Sequence, residues 1–289
     1  MAGYFALVTP GHADTLQLFL LACSSILLYS SGIVFNDYFD IETDLKERPH
    51  RPLPSGRVGK QPAFIIAIVS MISGNLIAFV VGVNSWIISV LISAIVIGYD
   101  YELKNTNAGP IAMGLARSLN VILGASPAVY LVLENYSLLI RVIFISLSSF
   151  AYIFSISLLS RKEVELDTNT KEEEQKKIMY TRRKTVAISF LIVFAIIASF
   201  VILVFFGIFY TDVFVNLILF LAIIISILFR QVRLSYSSSS VQTSIKYMVI
   251  AIIVFDSAFI CGVAGLYYGM SVLALAFPPV VLSRRLYVT

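Results

Sequence analysis

Acidic side chains with helical spacing stand at the end of the first long apolar segment of the chain. In Asn36-Asp37-x-x-Asp40-x-x-x-Asp44, three residues follow an i, i+4, i+8 spacing, with Asp37 at the edge of the same helix face. Like charges at this spacing repel each other, so a cation is expected to offset them. Oxygen ligands suit Mg²⁺, which proteins bind through one or two carboxylates and substrate phosphates. We therefore predict Asn36, Asp37, Asp40 and Asp44 as metal ligands, against the alternative of a solvated helix end.

A second acidic segment, Glu163-x-Glu165-x-Asp167, follows a later apolar segment. Glu163 and Asp167 are again four residues apart, and each acidic segment leads into a basic loop. The two preceding helices should run in the same direction, so both segments should lie at the same membrane face. Metals held by Glu163, Glu165, Asp167 and the first segment could bind one diphosphate. The alternative is a solvated acidic run, such as the neighbouring Glu172–Glu174.

Basic residues accompany both acidic segments, and lysine and arginine are the usual ligands of phosphate groups. Arg51 and Arg57 border a loop rich in proline and glycine, Lys104 follows a later apolar segment, and Arg161 adjoins the second acidic segment. We predict these four as contacts of an anionic substrate. Taken singly, each could equally be a determinant of membrane topology.

The composition indicates which structural elements hold these residues. Hydrophobic residues make up 58% of the 289 residues and charged residues 13%, and the mean hydropathy is +0.90. Ordinary soluble domains have about 25% charged residues, and disordered chains are poor in apolar residues. Both classes are therefore excluded in favour of a membrane protein. Only two cysteines and two histidines are present, which argues against a zinc site.

Apolar segments long enough to cross a bilayer predict an all-α, polytopic transmembrane bundle of about nine helices. An apolar stretch, Met1–Thr9, precedes them and is interpreted as the tail of a shortened first helix. The last segment contains Pro278 and Pro279, and could be re-entrant rather than spanning. The predicted segments are 15–36, 61–83, 84–101, 108–132, 137–160, 184–208, 211–230, 243–267 and 268–286.

Basic residues alternate between the loops, and 19 of the 21 lie in loops on one side or at the C-terminal end. The positive-inside rule places that side, with both acidic segments, in the cytoplasm. The calculated pI near 9.0 is therefore interpreted as a topology signal and not as a sign of nucleic-acid binding. Arg117, Arg141 and Asp256 lie inside predicted spans. Arg117 is deep enough to face the bundle interior, with Asp256 as one possible partner.

Several of these motifs together resemble the UbiA superfamily of intramembrane prenyltransferases. Asn36-Asp37-x-x-Asp40-x-x-x-Asp44 followed by the RPLPSGR stretch of 51–57 resembles its first aspartate-rich motif, and 163–167 resembles its second. The second motif usually begins with aspartate, and Glu163 departs from that pattern. Further similar positions are Tyr101 with Lys104 after the fourth helix, and Arg117, Asn120 and Gly124 on the fifth. The sequence Ser160-Arg161-x-Glu163 is most similar to that of the divergent EboC-like branch.

The resemblance implies a single UbiA-like domain over residues 1–289, with helices around a central cavity that opens laterally to lipid. It implies Mg²⁺-dependent transfer of a prenyl group from a polyprenyl diphosphate to a lipophilic acceptor in the cytoplasmic membrane. By the same resemblance, Asp37, Asp40 and Lys104 would be catalytic. The substrate-binding residues implied are Asn36, Arg51, Arg57, Tyr101, Lys104, Arg117, Asn120 and Arg161.

Two other functions fit parts of the sequence. A non-catalytic protein that binds an isoprenoid lipid would accommodate Glu163 and the short N-terminal stretch. A transporter is less consistent, because transporter sites lie near the bilayer midplane, whereas the polar residues here gather at one face. A glycerol phosphate lipid and an aromatic ring are both open as acceptors.

Overall fold

The structure is a computed structural model that describes residues 2–6, 14–161, 172–234 and 236–278, with the backbone alone at 172–175 and 238. Within these ranges it contains helices and no β-strand. Short 3-10 turns occupy Leu103–Asn105 and Ser126–Ala128. The α-helices are α1 (Ala2–Phe5), α2 (Thr15–Phe39), α3 (Ile41–Glu47), α4 (Lys60–Val81), α5 (Val83–Tyr101), α6 (Gly109–Ala125), α7 (Val129–Glu134), α8 (Tyr136–Ser160), α9 (Glu172–Phe205), α10 (Val213–Arg233), α11 (Ser238–Ala264) and α12 (Leu266–Ala274).

Eight helical segments in the described ranges are long and apolar enough to cross a membrane. They correspond to the first eight apolar segments predicted from the sequence, and the prediction of an all-α, multi-pass membrane protein is confirmed. The ninth predicted segment, 268–286, is described only as far as residue 278. Its described part contains most of α12, which has nine residues and is shorter than the roughly 20 needed for a span.

Two of the predicted spans differ in detail from the structure. α9 begins at Glu172, twelve residues before the predicted start, so most of the basic stretch assigned to a loop is helical. That stretch is rich in Glu, Gln, Lys and Arg, which are good helix formers. The span predicted at 108–132 is interrupted by the 3-10 turn at Ser126–Ala128. Pro127 lies in that turn, and proline cannot donate the backbone bond that an uninterrupted helix needs.

The first of two compact units contains Gly3 and the described residues from 14 to 142. Its α2 and α4 lie close together, because small residues such as Ala67 and Gly74 are buried on α4. Two serines of α2 donate hydrogen bonds to the α4 backbone at these positions: Ser24 to the Gly74 carbonyl and Ser31 to the Ala67 carbonyl, each at 2.8 Å. These contacts fix the position of α2, whose C-terminal end carries the first acidic segment.

The second compact unit contains the described residues from 143 onward, together with Ala2 and Tyr4–Ala6. Aromatic rings from α8, α9, α10 and α11 form its core. The ring centroids of Tyr152 and Phe255 lie 4.8 Å apart, those of Phe200 and Phe259 5.0 Å apart, and Phe220 packs against Tyr152. Edge and offset contacts of this kind add to the stabilisation from burial. The aromatic residues of this unit therefore hold its helices together.

α12 packs against α11 through a glycine. A Cβ built on Gly269 would lie 2.0 Å from the Cys261 sulfur and 3.0 Å from the Ser257 carbonyl oxygen. The Ser257 hydroxyl donates to the Gly269 carbonyl at 2.6 Å, and the side chain of Asn216 donates to the Ser257 hydroxyl. A larger residue at 269 would therefore separate the two helices and break this buried chain of hydrogen bonds.

Gly269→Ala is expected to destabilise the second unit by about 1–3 kcal/mol, the usual cost of overpacking a core. The measurement is the thermal unfolding midpoint of the detergent-purified protein. Ser271→Ala, on the same helix, is the control, because Ser271 is exposed and its hydroxyl bonds only within the helix, to the Tyr267 carbonyl. Equal midpoints for the two variants would contradict the close packing of α11 and α12.

Candidate functional site

The first acidic segment lies at the junction of α2 and α3. Asp40 is the single residue between the two helices and has backbone angles of φ −89° and ψ 5°. Its amide nevertheless donates to the Asn36 carbonyl at 3.0 Å, and its carbonyl accepts from the Asp44 amide at 2.8 Å. The i, i+4 pattern thus continues through the junction, although the segment is not one uninterrupted helix. Glu42 is exposed and Asp44 is buried, so the acids differ in environment.

Arg51 forms ion pairs with two of these acids. One nitrogen of its guanidinium lies 2.9 Å from the Asp44 carboxylate and 3.3 Å from the Asp37 carboxylate. Asp44 is only 4% exposed, and a carboxylate so far removed from water needs a charged partner. Arg51 therefore joins the loop after α3 to the end of α2 and fixes the position of Asp37.

Arg57 bonds groups of its own loop, whereas Arg51 bonds the acids. Its guanidinium donates to the His50 carbonyl and, at 3.1 Å, to the Ser55 hydroxyl. Gly56 turns the chain between Ser55 and Arg57, and its φ of +74° is a conformation that favours glycine. The structure thus places Arg57 across its own loop and in an exposed position, where it stabilises the loop that presents Arg51.

Lys104 reaches the acidic segment from a different loop than Arg51. Its ammonium forms an ion pair with the Asp40 carboxylate. Lys104 lies in the 3-10 turn that follows α5, and the start of α6 packs on that turn. A Cβ on Gly109 would come within 3.0 Å of the Leu103 carbonyl oxygen and 3.2 Å of that of Lys104. The close approach of α6 therefore holds the turn, and with it Lys104, against α2.

Asp100 is a further acid at this site and is not among the site residues predicted from the sequence. It lies in the last turn of α5, is 2% exposed, and acts electrostatically with Lys104, Asp40 and Asp37. Its Oδ2 atom has no hydrogen-bond partner in the part of the chain that the structure describes. The sequence signal was the position four residues before Lys104, but only the packing shows that this carboxyl is buried.

Three other predicted binding residues lie on the helices of the same unit. Tyr101 is 73% exposed, and its ring makes an edge contact with Phe39 at a centroid distance of 6.1 Å. Asn120 donates from its amide nitrogen to the Ser25 hydroxyl at 2.7 Å, which links α6 to α2. Arg117 lies one turn before Asn120 on α6 and is partly buried.

The remaining predicted site residues belong to other parts of the chain. Glu163, Glu165 and Asp167 fall outside the described residues, and their role as ligands stays a prediction from the sequence. Arg161 is partly buried in the turn that ends α8 and belongs to the second compact unit. The structure therefore brings together Asp37, Asp40, Asp44, Arg51 and Lys104 from the predicted set, and adds Asp100.

The residue types at this site fit Mg²⁺. Four aspartates face two cations, so the cluster has an excess of negative charge, and the unpartnered oxygen of Asp100 supplies a further acceptor. Among the described residues, no group of three or more His, Cys, Asp or Glu side chains is placed to hold a metal ion. Mg²⁺ commonly takes one or two carboxylates together with substrate phosphates and water, so such a group is not required.

Such a cluster can bind a phosphorylated substrate at the end of membrane helices. Lys104 and Arg51 are donors with a fixed direction, because their carboxylate partners hold them in place. If the aspartates bound a metal in place of Lys104 and Arg51, these two cations would become available to phosphate oxygens. The apolar helices below the cluster offer an environment for the hydrocarbon part of the same molecule.

Comparison with known proteins agrees with these chemical features. The model of the UbiA prenyltransferase family matches residues 1–250. The digeranylgeranylglyceryl phosphate synthase of Methanothrix thermoacetophila is 35% identical over 127 residues, which cover 42% of this chain and 48% of that protein. The enzyme of the same name from Methanosphaera stadtmanae is 24% identical over 182 residues, or 62% and 63% of the two chains. The match thus spans about half to two thirds of these relatives.

Solved structures show the same fold. A structure determined for insight into digeranylgeranylglyceryl phosphate synthase in membranes has a TM-score of 0.63 and 18% identity, and the match covers 91% of this chain and 90% of that one. The apo structure of a UbiA homolog from Aeropyrum pernix K1 also has a TM-score of 0.63, with 15% identity and coverage of 88% and 94%. At these identities the likeness concerns the fold.

Proposed function

Because this chain belongs to the UbiA prenyltransferase family, we propose that it is an enzyme that transfers a prenyl group from a polyprenyl diphosphate to a lipophilic acceptor within the membrane. The observation that carries the proposal is the cluster of Asp37, Asp40 and Asp44 held by Arg51 and Lys104 at the end of membrane-crossing helices. A cluster with both signs of charge suits a metal-bound diphosphate, and the apolar helices suit its hydrocarbon chain.

The acceptor we infer is a glycerol phosphate lipid that already carries one prenyl chain. The relatives named digeranylgeranylglyceryl phosphate synthase support this choice over an aromatic ring. A glycerol hydroxyl is a weak nucleophile, so the reaction would depend on departure of the diphosphate. The cations of the site are suited to that departure.

The reaction exchanges one bond for another. The bond between C1 of the prenyl group and the diphosphate oxygen breaks, and its electron pair leaves with the diphosphate. A bond forms between C1 and the acceptor oxygen, whose proton passes to the released diphosphate. Lys104 and Arg51 would donate to the diphosphate oxygens as negative charge develops there, which lowers the barrier. The apolar helices would exclude water, which otherwise competes with the acceptor.

Magnesium would be held by one or two of the carboxylates of Asp37, Asp40 and Asp44 together with substrate phosphates, with the sequence motif adding Asn36, Glu163, Glu165 and Asp167. When bound, it supplies further neutralisation of the diphosphate charge. The protein's own part is to hold these carboxylates in place. Arg51 does so for Asp37 and Asp44, because it bonds both of them.

We infer that the site faces the cytoplasm, in the cytoplasmic membrane. Eight candidate spans make the chain a multi-pass integral membrane protein. The loop that follows Asp44 is rich in lysine and arginine, and Lys104 lies in a turn at the same cluster. Loops rich in these residues stay in the cytoplasm. That side is also where a water-soluble diphosphate would leave the enzyme.

The proposal is tested with detergent-purified protein, geranylgeranyl diphosphate labelled in the prenyl group, Mg²⁺ and a geranylgeranylglyceryl phosphate acceptor. We expect a doubly prenylated lipid and released diphosphate, both lost when EDTA removes the metal. A phenolic acceptor in a parallel reaction tests the choice of acceptor. Tight binding of the diphosphate without product from either acceptor would favour a non-catalytic isoprenoid-binding protein.

A further inference from the structure

Asp100 lies beside the proposed site but has no assigned role there. Its side chain is 2% exposed, and its Oδ2 atom makes no hydrogen bond to any described residue. Burial of a polar oxygen without a partner costs stability, and the cost is greater for a charged group. Such a cost beside the proposed site calls for an explanation.

Two aspartates outside this site accept hydrogen bonds from backbone amides. Asp14 caps α2 by accepting from the amides of Leu16 and Gln17. Asp212 accepts from the amide of Leu266 at 3.1 Å. Asp100 differs from both, because one of its two carboxyl oxygens is buried and unbonded.

The surroundings of Asp100 point to the partner. The charges that act on its carboxyl are those of Lys104, Asp40 and Asp37. Of these, only Lys104 is a cation, and its ammonium is paired with Asp40 in this structure. An ammonium carries three N–H donors, so Lys104 can bond a carboxylate and a phosphate at once.

We propose that Asp100 is a positioning residue that takes over Lys104 when Asp40 is drawn to a bound metal and diphosphate. The inference rests on the proposed function. In the state shown, Asp40 holds Lys104 and one oxygen of Asp100 is unbonded. With substrate bound, Asp100 accepts a hydrogen bond from Lys104, and the remaining donors of the ammonium face the leaving diphosphate. Asp100 forms no covalent bond in the reaction.

The experiment uses Asp100→Asn, which keeps the size of the side chain and removes its charge, with Glu102→Gln as the control. Glu102 is exposed two residues away. We expect Asp100→Asn to lower kcat about 10- to 100-fold, the usual effect of losing a residue that orients a ligand. The KM for the acceptor should stay the same, and the thermal unfolding midpoint should not fall. Glu102→Gln should match the wild type in all three.

A second variant tests whether Asp100 acts through Lys104. In a Lys104→Ala background, Asp100→Asn should cause little further loss, because residues that act as a unit are not additive. A binding readout is independent of turnover: the rise in unfolding midpoint caused by inorganic diphosphate with Mg²⁺ should be smaller in Asp100→Asn than in Glu102→Gln.

Each outcome decides between the alternatives. An active wild type with Asp100→Asn within twofold of its kcat would overturn the inference, as would a full additional loss in the Lys104→Ala background. A lower unfolding midpoint or a failure to fold in Asp100→Asn would show a structural role and would also overturn it. A wild type without prenyl transfer would contradict the proposed function, while the diphosphate-binding comparison would still decide the role of Asp100.

Discussion

Lys104→Ala should lower the rate of prenyl transfer by about 10²–10³-fold, the scale seen when one donor to a developing negative charge is removed. Lys104 is the cation paired with Asp40, and the packing of α6 on the turn at Leu103–Asn105 holds it in place. Its removal takes away the charge that we propose neutralises the leaving diphosphate, and it takes away the ion-pair partner of Asp40. The measurement is kcat with labelled geranylgeranyl diphosphate under saturating Mg²⁺.

The same substitution should change stability little. The side chains of Lys104 and Asp40 are both partly exposed, and the carboxylate left behind can be hydrated. Ion pairs near the surface contribute about 0–1 kcal/mol. Lys46→Ala is the matched control, since Lys46 is an exposed lysine on α3. Equal rates for the two variants would mean that Lys104 is only part of the general positive charge of this face.

Arg51→Ala should have the largest effect on stability, with a loss of about 2–4 kcal/mol in the free energy of unfolding. Asp44 is buried, and Arg51 is its charged partner at 2.9 Å. Removing one member of a buried pair leaves an uncompensated charge and typically costs about 3–5 kcal/mol. The Arg51 side chain is 25% exposed, so we expect a cost somewhat below that range. The measurement is denaturant unfolding in mixed micelles.

Asp44→Asn tests whether that loss comes from the buried pair. With the charge of Asp44 removed, Arg51→Ala should cost clearly less than in the wild type, and the difference measures the coupling of the two residues. Arg48→Ala is the control, because Arg48 makes no ion pair with any described residue. Losses of equal size in Arg51→Ala and Arg48→Ala would show that Asp44 does not depend on Arg51.

The helices and the residue types of the site were predictable from the sequence, because both depend on local patterns. A span requires only about 20 consecutive apolar residues, and the i, i+4 spacing of Asp40 and Asp44 is set by the helix itself. Helix ends were less predictable. α9 starts twelve residues early, at Glu172, because charged residues with high helix propensity extend it beyond the apolar segment.

The charge partners within the site could not be read from the sequence. Arg51 and Arg57 stand six residues apart in one loop, yet Arg51 pairs with Asp37 and Asp44, while Arg57 bonds the loop itself. Both arginines match the same motif, so residue type alone does not separate their roles. The turn at Gly56, with φ +74°, lies between the two arginines, and the folded loop decides which groups each side chain meets.

Burial is the property that only the tertiary structure decided. The sequence determined a helical membrane protein of a recognisable family, since composition and motif spacing are properties of the chain. It did not distinguish Asp100, which is buried with an unbonded oxygen, from the exposed Glu102 two residues later. It also did not join Asn120 to Ser25, which are 95 residues apart. Contacts of this kind depend on which helix faces meet, and helix packing is settled by interactions between segments distant in the chain.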